Sequence, residues 1–63
     1  MNIVYVIKDA EDKLLEICDS IGNAFAWVYS EYEGNCKVEK YNENFRVIFE
    51  DETVEIIKWN VFS

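Results

Sequence analysis

Carboxylates are the most abundant reactive groups in this 63-residue chain, with 13 Asp and Glu against six Lys and Arg and no His. Hydrolysis by a carboxylate pair needs one acid held neutral by burial beside one left ionised, across a substrate cleft. Asp9, Glu11 and Asp12 fall in one polar segment and Glu50, Asp51 and Glu52 in another. Both segments read as turns, where water screens the charges and nothing separates their ionisation. Neither run has the alternating oxygen ligands and central glycine of an EF-hand loop, so neither reads as a calcium site. Without His, the hydroxyls of Ser20, Ser30 and Ser63 and the thiols of Cys18 and Cys36 have no partnering base. Gly22 and Gly34 stand apart, with no GK[ST] pattern to cradle a phosphate. The expectation is a non-enzyme with no cofactor and no metal.

The cysteines form neither a CxxC redox pair nor a zinc-ligand set. They are expected as reduced, packed side chains, in keeping with a cytoplasmic chain that carries no secretion signal. No stretch approaches the roughly 18 apolar residues that a membrane span requires.

The formal charge of −7 disfavours direct nucleic-acid or membrane binding, because affinity for phosphate comes largely from lysines and arginines. No basic residue lies between Leu14 and Cys36, whereas Glu16, Asp19, Glu31 and Glu33 do. Such a field attracts basic protein surfaces and speeds encounter with them. The same charge also serves solubility, which a small chain rich in aromatics needs.

Positioning these groups requires a fold, and the composition supports one. Half the chain is hydrophobic and 16% is aromatic, too much apolar surface for a disordered acidic tail. A chain this short hides only about 60% of its unfolded surface, so the ten aromatics are expected to fill the core, with self-association as another remedy.

Ile3 to Ile7 and Leu14 to Cys18 are short apolar runs separated by polar residues, the pattern of a hairpin. Joining 11–18 to the following helix is the alternative, but Asp19-Ser20 supplies N-cap chemistry that would be wasted mid-helix. From that cap Ile21, Ala24, Phe25, Val28 and Tyr32 share one helical stripe, and Glu33-Gly34-Asn35 supplies the stop. Lys37 to Tyr41, Phe45 to Glu50 and Thr53 to Phe62 read as three meander strands. If Asp51-Glu52 is a two-residue turn, Phe49 opposes Val54 and Val47 opposes Ile56, with that face on the helix. Arg46, Ile48, Glu55, Ile57 and Trp59 then take the opposite face, a mixture too apolar for a purely solvating surface. A register slip of one residue would exchange the faces. The expected class is α+β: a single helix packed on a mainly antiparallel sheet, order ββαβββ, in one small acidic domain over 1–63.

The function these features suggest is a non-enzymatic module that occupies a basic site on a partner protein. Its expected contact residues are the acids Glu31, Glu33, Glu50, Asp51, Glu52 and Glu55 and the apolar Trp27, Ile48, Ile57 and Trp59. Trp27 stands about a third of a turn from the centre of the helical stripe, where it either covers a sheet edge or meets a partner. Carboxylates on one side of a strand recur at about 6.6 Å. A row of them would resemble a phosphate backbone, making the partner a nucleic-acid-binding protein and this chain its inhibitor. In size, acidity and lack of catalytic groups the chain is similar to small inhibitor proteins encoded by phages and mobile elements, a likeness of composition that rests on no motif. The alternative is a self-associating accessory protein, a homodimer formed through the outer sheet face or an edge strand.

Overall fold

A computed structural model describes residues 2–61. Along the chain the elements are β1 (Asn2–Asp9), β2 (Leu14–Cys18), α1 (Ile21–Glu31), β3 (Cys36–Tyr41), β4 (Asn44–Phe49) and β5 (Thr53–Val61). Every strand pairing is antiparallel, and the strands lie in the spatial order β2-β1-β5-β4-β3. The class is therefore α+β with one helix and a predominant sheet. The last strand returns to the middle and pairs with the first along its whole length, from Asn2 opposite Val61 to Asp9 opposite Val54.

The segment 14–18 is strand rather than helix, as the cap chemistry implies. Ser20 takes an extended backbone, and its Oγ accepts a hydrogen bond from the Asn23 amide at 3.1 Å. The helix ends at Glu31, two residues before the expected Glu33. Tyr32 leaves the helical path with its amide still donating to the Val28 carbonyl, and its ring stacks on Phe49 at 5.4 Å between centroids. The helix thus ends where Tyr32 turns onto the sheet. Gly34, at φ +99°, turns the chain toward β3.

The register of β4 against β5 differs from the expected one. Val47 opposes Val54 and Phe45 opposes Ile56, a slip of two residues, because the chain reverses over Glu50-Asp51, one residue earlier than Asp51-Glu52, with the Phe49 amide donating to the Glu52 carbonyl. A slip of two preserves the faces. Val47, Phe49, Val54 and Ile56 are buried beneath the helix with Ile7, Ala24 and Val28. Arg46, Ile48, Glu55, Ile57 and Trp59 lie on the other side. The final strand was expected to reach Phe62, which lies outside the described residues.

The core also differs in kind. Of the aromatics among the described residues, Phe49 alone is buried, and the centre is otherwise Ile, Val and Ala. Tyr5, Phe25, Trp27, Tyr32 and Phe45 ring that centre while partly exposed. One 11-residue helix is too narrow to cover a five-stranded sheet, so the flat aromatic rings tile its margins. Phe25 meets Phe45 edge to face at 5.2 Å on one flank, and Trp27 meets Tyr32 at 6.5 Å on the other.

Candidate functional site

An antiparallel sheet joined by short connections places alternate connections at the same end. Here the β1–β2 turn, the end of α1 and the β4–β5 loop come together, while the β2–α1 and β3–β4 connections lie at the other end. The first set carries Asp9, Glu11, Asp12, Glu31, Glu33, Glu50, Asp51 and Glu52, eight of the chain's 13 acids. The second carries Asp19 and Glu43. Strong electrical asymmetry follows from topology alone.

Tyr32 marks the centre of the acidic end. Partial burial, and then the charges of Glu52, Asp9 and Glu31, raise its phenol pKa above the ordinary value. Carboxylates from all three segments thus act on one ring. A shallow groove runs over this end, bordered by Glu31 and Glu33 on one side and Glu50, Asp51 and Glu52 on the other, with Tyr32, Ile48 and Phe49 at its floor. It continues around the loop to Asp9 and Glu11. The two acidic clusters singled out in the sequence are one surface.

Local structure explains why these acids face water. The Asp9 carboxylate accepts hydrogen bonds from the amides of Glu11 and Lys13, both at 2.9 Å, and so organises its own turn. Asp12 supplies the left-handed residue of that turn, at φ +68°. Glu31, Glu33, Glu50, Asp51 and Glu52 are exposed. Among the described residues, no three His, Cys, Asp or Glu side chains converge closely enough to hold a metal ion. The arrangement presents charge outward and does not focus it on a point.

Glu55 belongs elsewhere. It lies on the open face of the sheet, where Tyr41 donates a hydrogen bond to it and Arg46 approaches it at 3.9 Å. Arg46 reaches Glu39 on the other side at 3.7 Å and covers the Tyr41 ring at 5.1 Å. These groups extend across the strands as a row of alternating sign: Lys8, Glu55, Arg46, Glu39. Charge there is balanced internally.

Ile57 and Trp59 share that open face, and Ile48 sits at its junction with the acidic groove. Trp27 lies apart from both surfaces, half-buried against the core beside a shallow depression formed by Glu16, Ile17, Cys18, Asp19 and Asn23. The ten expected contact residues therefore divide among an acidic end, an open sheet face and a helix flank.

Sequence reading left Asp9, Glu11 and Asp12 out of the binding surface. Counting chain reversals in ββαβββ places their turn beside the β4–β5 loop, and that signal was available. Val4, Val6, Leu14 and Ile17 on the open face were also missed. For Val4 and Val6 the signal is the unbroken apolar run from Ile3 to Ile7, which implies a strand with apolar residues on both faces.

Both cysteines are free thiols, Cys18 partly buried and Cys36 exposed. No helix is long and apolar enough to cross a membrane. No protein-family model matches the chain, and comparison with curated proteins and with solved structures gives no match.

Proposed function

We propose that this chain is a non-enzymatic interaction module whose acidic end occupies a basic site on a partner protein. The supporting observation is the convergence of three acidic segments, distant in sequence, around Tyr32. Opposing them nearby are Lys8, whose Nζ lies 2.5 Å from the Asp12 carboxylate, Lys13 in the turn and Lys37 beside the end of the helix. Like charges gathered at one end strain the fold by mutual repulsion, and a cationic partner relieves that repulsion on binding. Ile48, Phe49 and Tyr32 give the groove an apolar floor, so a basic side chain with an aliphatic stem could lie along it while its charged head meets the rim.

In the stricter form of this reading the occupied site normally holds nucleic acid, and the chain acts as an inhibitor by mimicry. Carboxylates spread along a rim, rather than focused on a point, are what a phosphate backbone would present. The partner is then a nucleic-acid-binding protein of the cytoplasm.

The test uses the whole chain as bait for host proteins, followed by titration with the purified partner. Binding is expected to weaken at least tenfold between low and physiological salt and to be competed by duplex nucleic acid. E31K/E33K and E50K/D51K/E52K should each weaken it, because both alter one surface. Binding that ignores salt and nucleic acid, or that survives both sets of reversals, would refute the proposal.

A further inference from the structure

We infer that the open face of the sheet is a self-association surface, and that its occupant is a second copy of this chain packed face to face about a two-fold axis. The inference is independent of the role proposed for the acidic end. One helix covers one side of the sheet, and the other side has no covering element among the described residues. That side carries a contiguous apolar patch on β2, β1 and β5. Ile17 lies beside Val6, Val6 beside Ile57, and Val4 beside Trp59. Ile17 is 51% exposed and Trp59 58%, large values for strand residues of this type.

Charge selects the occupant. The strand residues of the open face carry three cations, Lys8, Lys37 and Arg46, and two carboxylates, Glu39 and Glu55. Among the described residues this face therefore carries no excess of acid, in contrast to the acidic end, so a second copy meets less repulsion across the face than at that end. The pattern is also self-complementary. On the central strands the opposed pairs are Lys8 with Glu55, Val6 with Ile57 and Val4 with Trp59. A two-fold axis running along the strands between β1 and β5 exchanges the members of each pair. Lys8 then faces Glu55 of the second copy, Val6 faces its Ile57, and Val4 faces its Trp59. An isologous interface requires this kind of self-matching surface.

The area approaches what is needed. Strands of eight, five, six, six and nine residues, at about 3.3 Å per residue and about 4.8 Å apart, give a face of roughly 540 Å². Stable interfaces bury about 800 Å² of accessible surface per partner, and side-chain relief raises accessible area above the flat projection. Two sheets about 10 Å apart would then share a second apolar layer, which compensates for the small core of a chain of this length.

Analytical ultracentrifugation of the full chain over a concentration series tests this. The mass is expected to double from 7.5 kDa as concentration rises. W59K and I17K should each shift the midpoint at least a hundredfold toward the monomer, with the far-ultraviolet circular dichroism unchanged, because both side chains are already exposed. Added salt should tighten the dimer by screening two bodies of net −7, the opposite sign to that expected for a basic partner. E50K/D51K/E52K should leave the dimer intact. A monomer persisting to about millimolar concentration overturns the inference. So does a dimer unaffected by W59K, because edge-strand pairing does not need a residue on the central strand.

Discussion

Ile56 and Ile57 are adjacent, identical in type and assigned to opposite faces, so truncating each to alanine tests the face assignment on which the core and the open face rest. Ile56 is fully buried opposite Ile7 on one side and Phe45 on the other, whereas Ile57 is partly exposed on the open face. Ile→Ala removes three carbons, about 2.4 kcal/mol at about 0.8 kcal/mol each, and a cavity beneath the helix adds to this. The expected cost of I56A is about 3–4 kcal/mol. A chain of 63 residues has about 3–9 kcal/mol of stability in all, so this variant stands near the edge of folding. At position 57 part of the side chain is already in water and no closed cavity forms, which limits the cost of I57A to about 1 kcal/mol. Urea unfolding followed by tryptophan fluorescence, at concentrations where the chain is monomeric, reads the difference. With a slope of about 1 kcal/mol per molar urea, the midpoint should fall by about 3–4 M for I56A and by at most about 1 M for I57A. Should I56A not fold, I56V and I57V give the same contrast at about 1 against about 0.3 kcal/mol. Equal losses, or a larger loss at Ile57, would mean that the strand is turned over and that the open face is not as described.

Two further outcomes follow from the environments of the phenols and thiols. Tyr41 has its pKa raised first by its hydrogen bond to Glu55 and then by burial, and burial leads for Tyr29 and Tyr32. A raised value means the folded state holds the phenol proton more tightly than the unfolded state. The resulting stability is complete below the ordinary value of 10.0 and is lost as pH rises through the raised values. Chemical denaturation repeated at increasing alkaline pH should show declining stability, with Y41F reducing that dependence; a flat profile would contradict the assignment. Among the thiols, Cys36 is exposed, whereas burial, followed by the charges of Glu16 and Asp19, raises the pKa of Cys18. A thiol-reactive reagent should therefore modify Cys36 first, and equal rates or a faster Cys18 would count against the placement of β2.

Much of this architecture was legible in local signals. Asp19-Ser20 marks the helix start because the Ser20 hydroxyl satisfies an amide that the helix leaves unpaired, and the structure forms that bond. Alternation along 45–49 and 53–57 identifies the buried face even though the register moved by two, since a period of two is blind to even slips. Other features depended on contacts distant in sequence. Glu33-Gly34-Asn35 marks the end of the helix to within two residues, but the earlier departure at Tyr32 goes with its stacking on Phe49, 17 residues later. The pairing of β1 with β5 joins the two ends of the chain, and neither segment encodes the other as a neighbour. Without that pairing, Val4 and Val6 could not be placed beside Ile57 and Trp59. The aromatics misled for a related reason. Their number suggests a core of rings, but a single helix over a wide sheet leaves a thin centre, which Ile and Val fill, and a long margin, which rings cover.

Charge and topology are connected through the turns. Acidic residues suit turns because they are solvated there and because Asp can bond its own neighbouring amides, as Asp9 does. In an antiparallel sheet the turns fall at two ends, so local turn chemistry becomes a global dipole whenever one set of turns is the more acidic. Here eight carboxylates take one end while the open face keeps its charges in balance. Under the two proposals, the surfaces are expected to respond to ionic strength in opposite directions. Screening would weaken the attraction between the acidic end and a basic partner, and it would weaken the repulsion between two copies that meet on the open face. A two-fold axis along the strands would also bring both acidic ends to the same side of the dimer. A cationic partner spanning them would then offset the repulsion that the dimer itself creates, so that occupancy of one surface tightens the other. Such coupling would need no conformational change, because the linkage would be Coulombic and act between two fixed sets of charges.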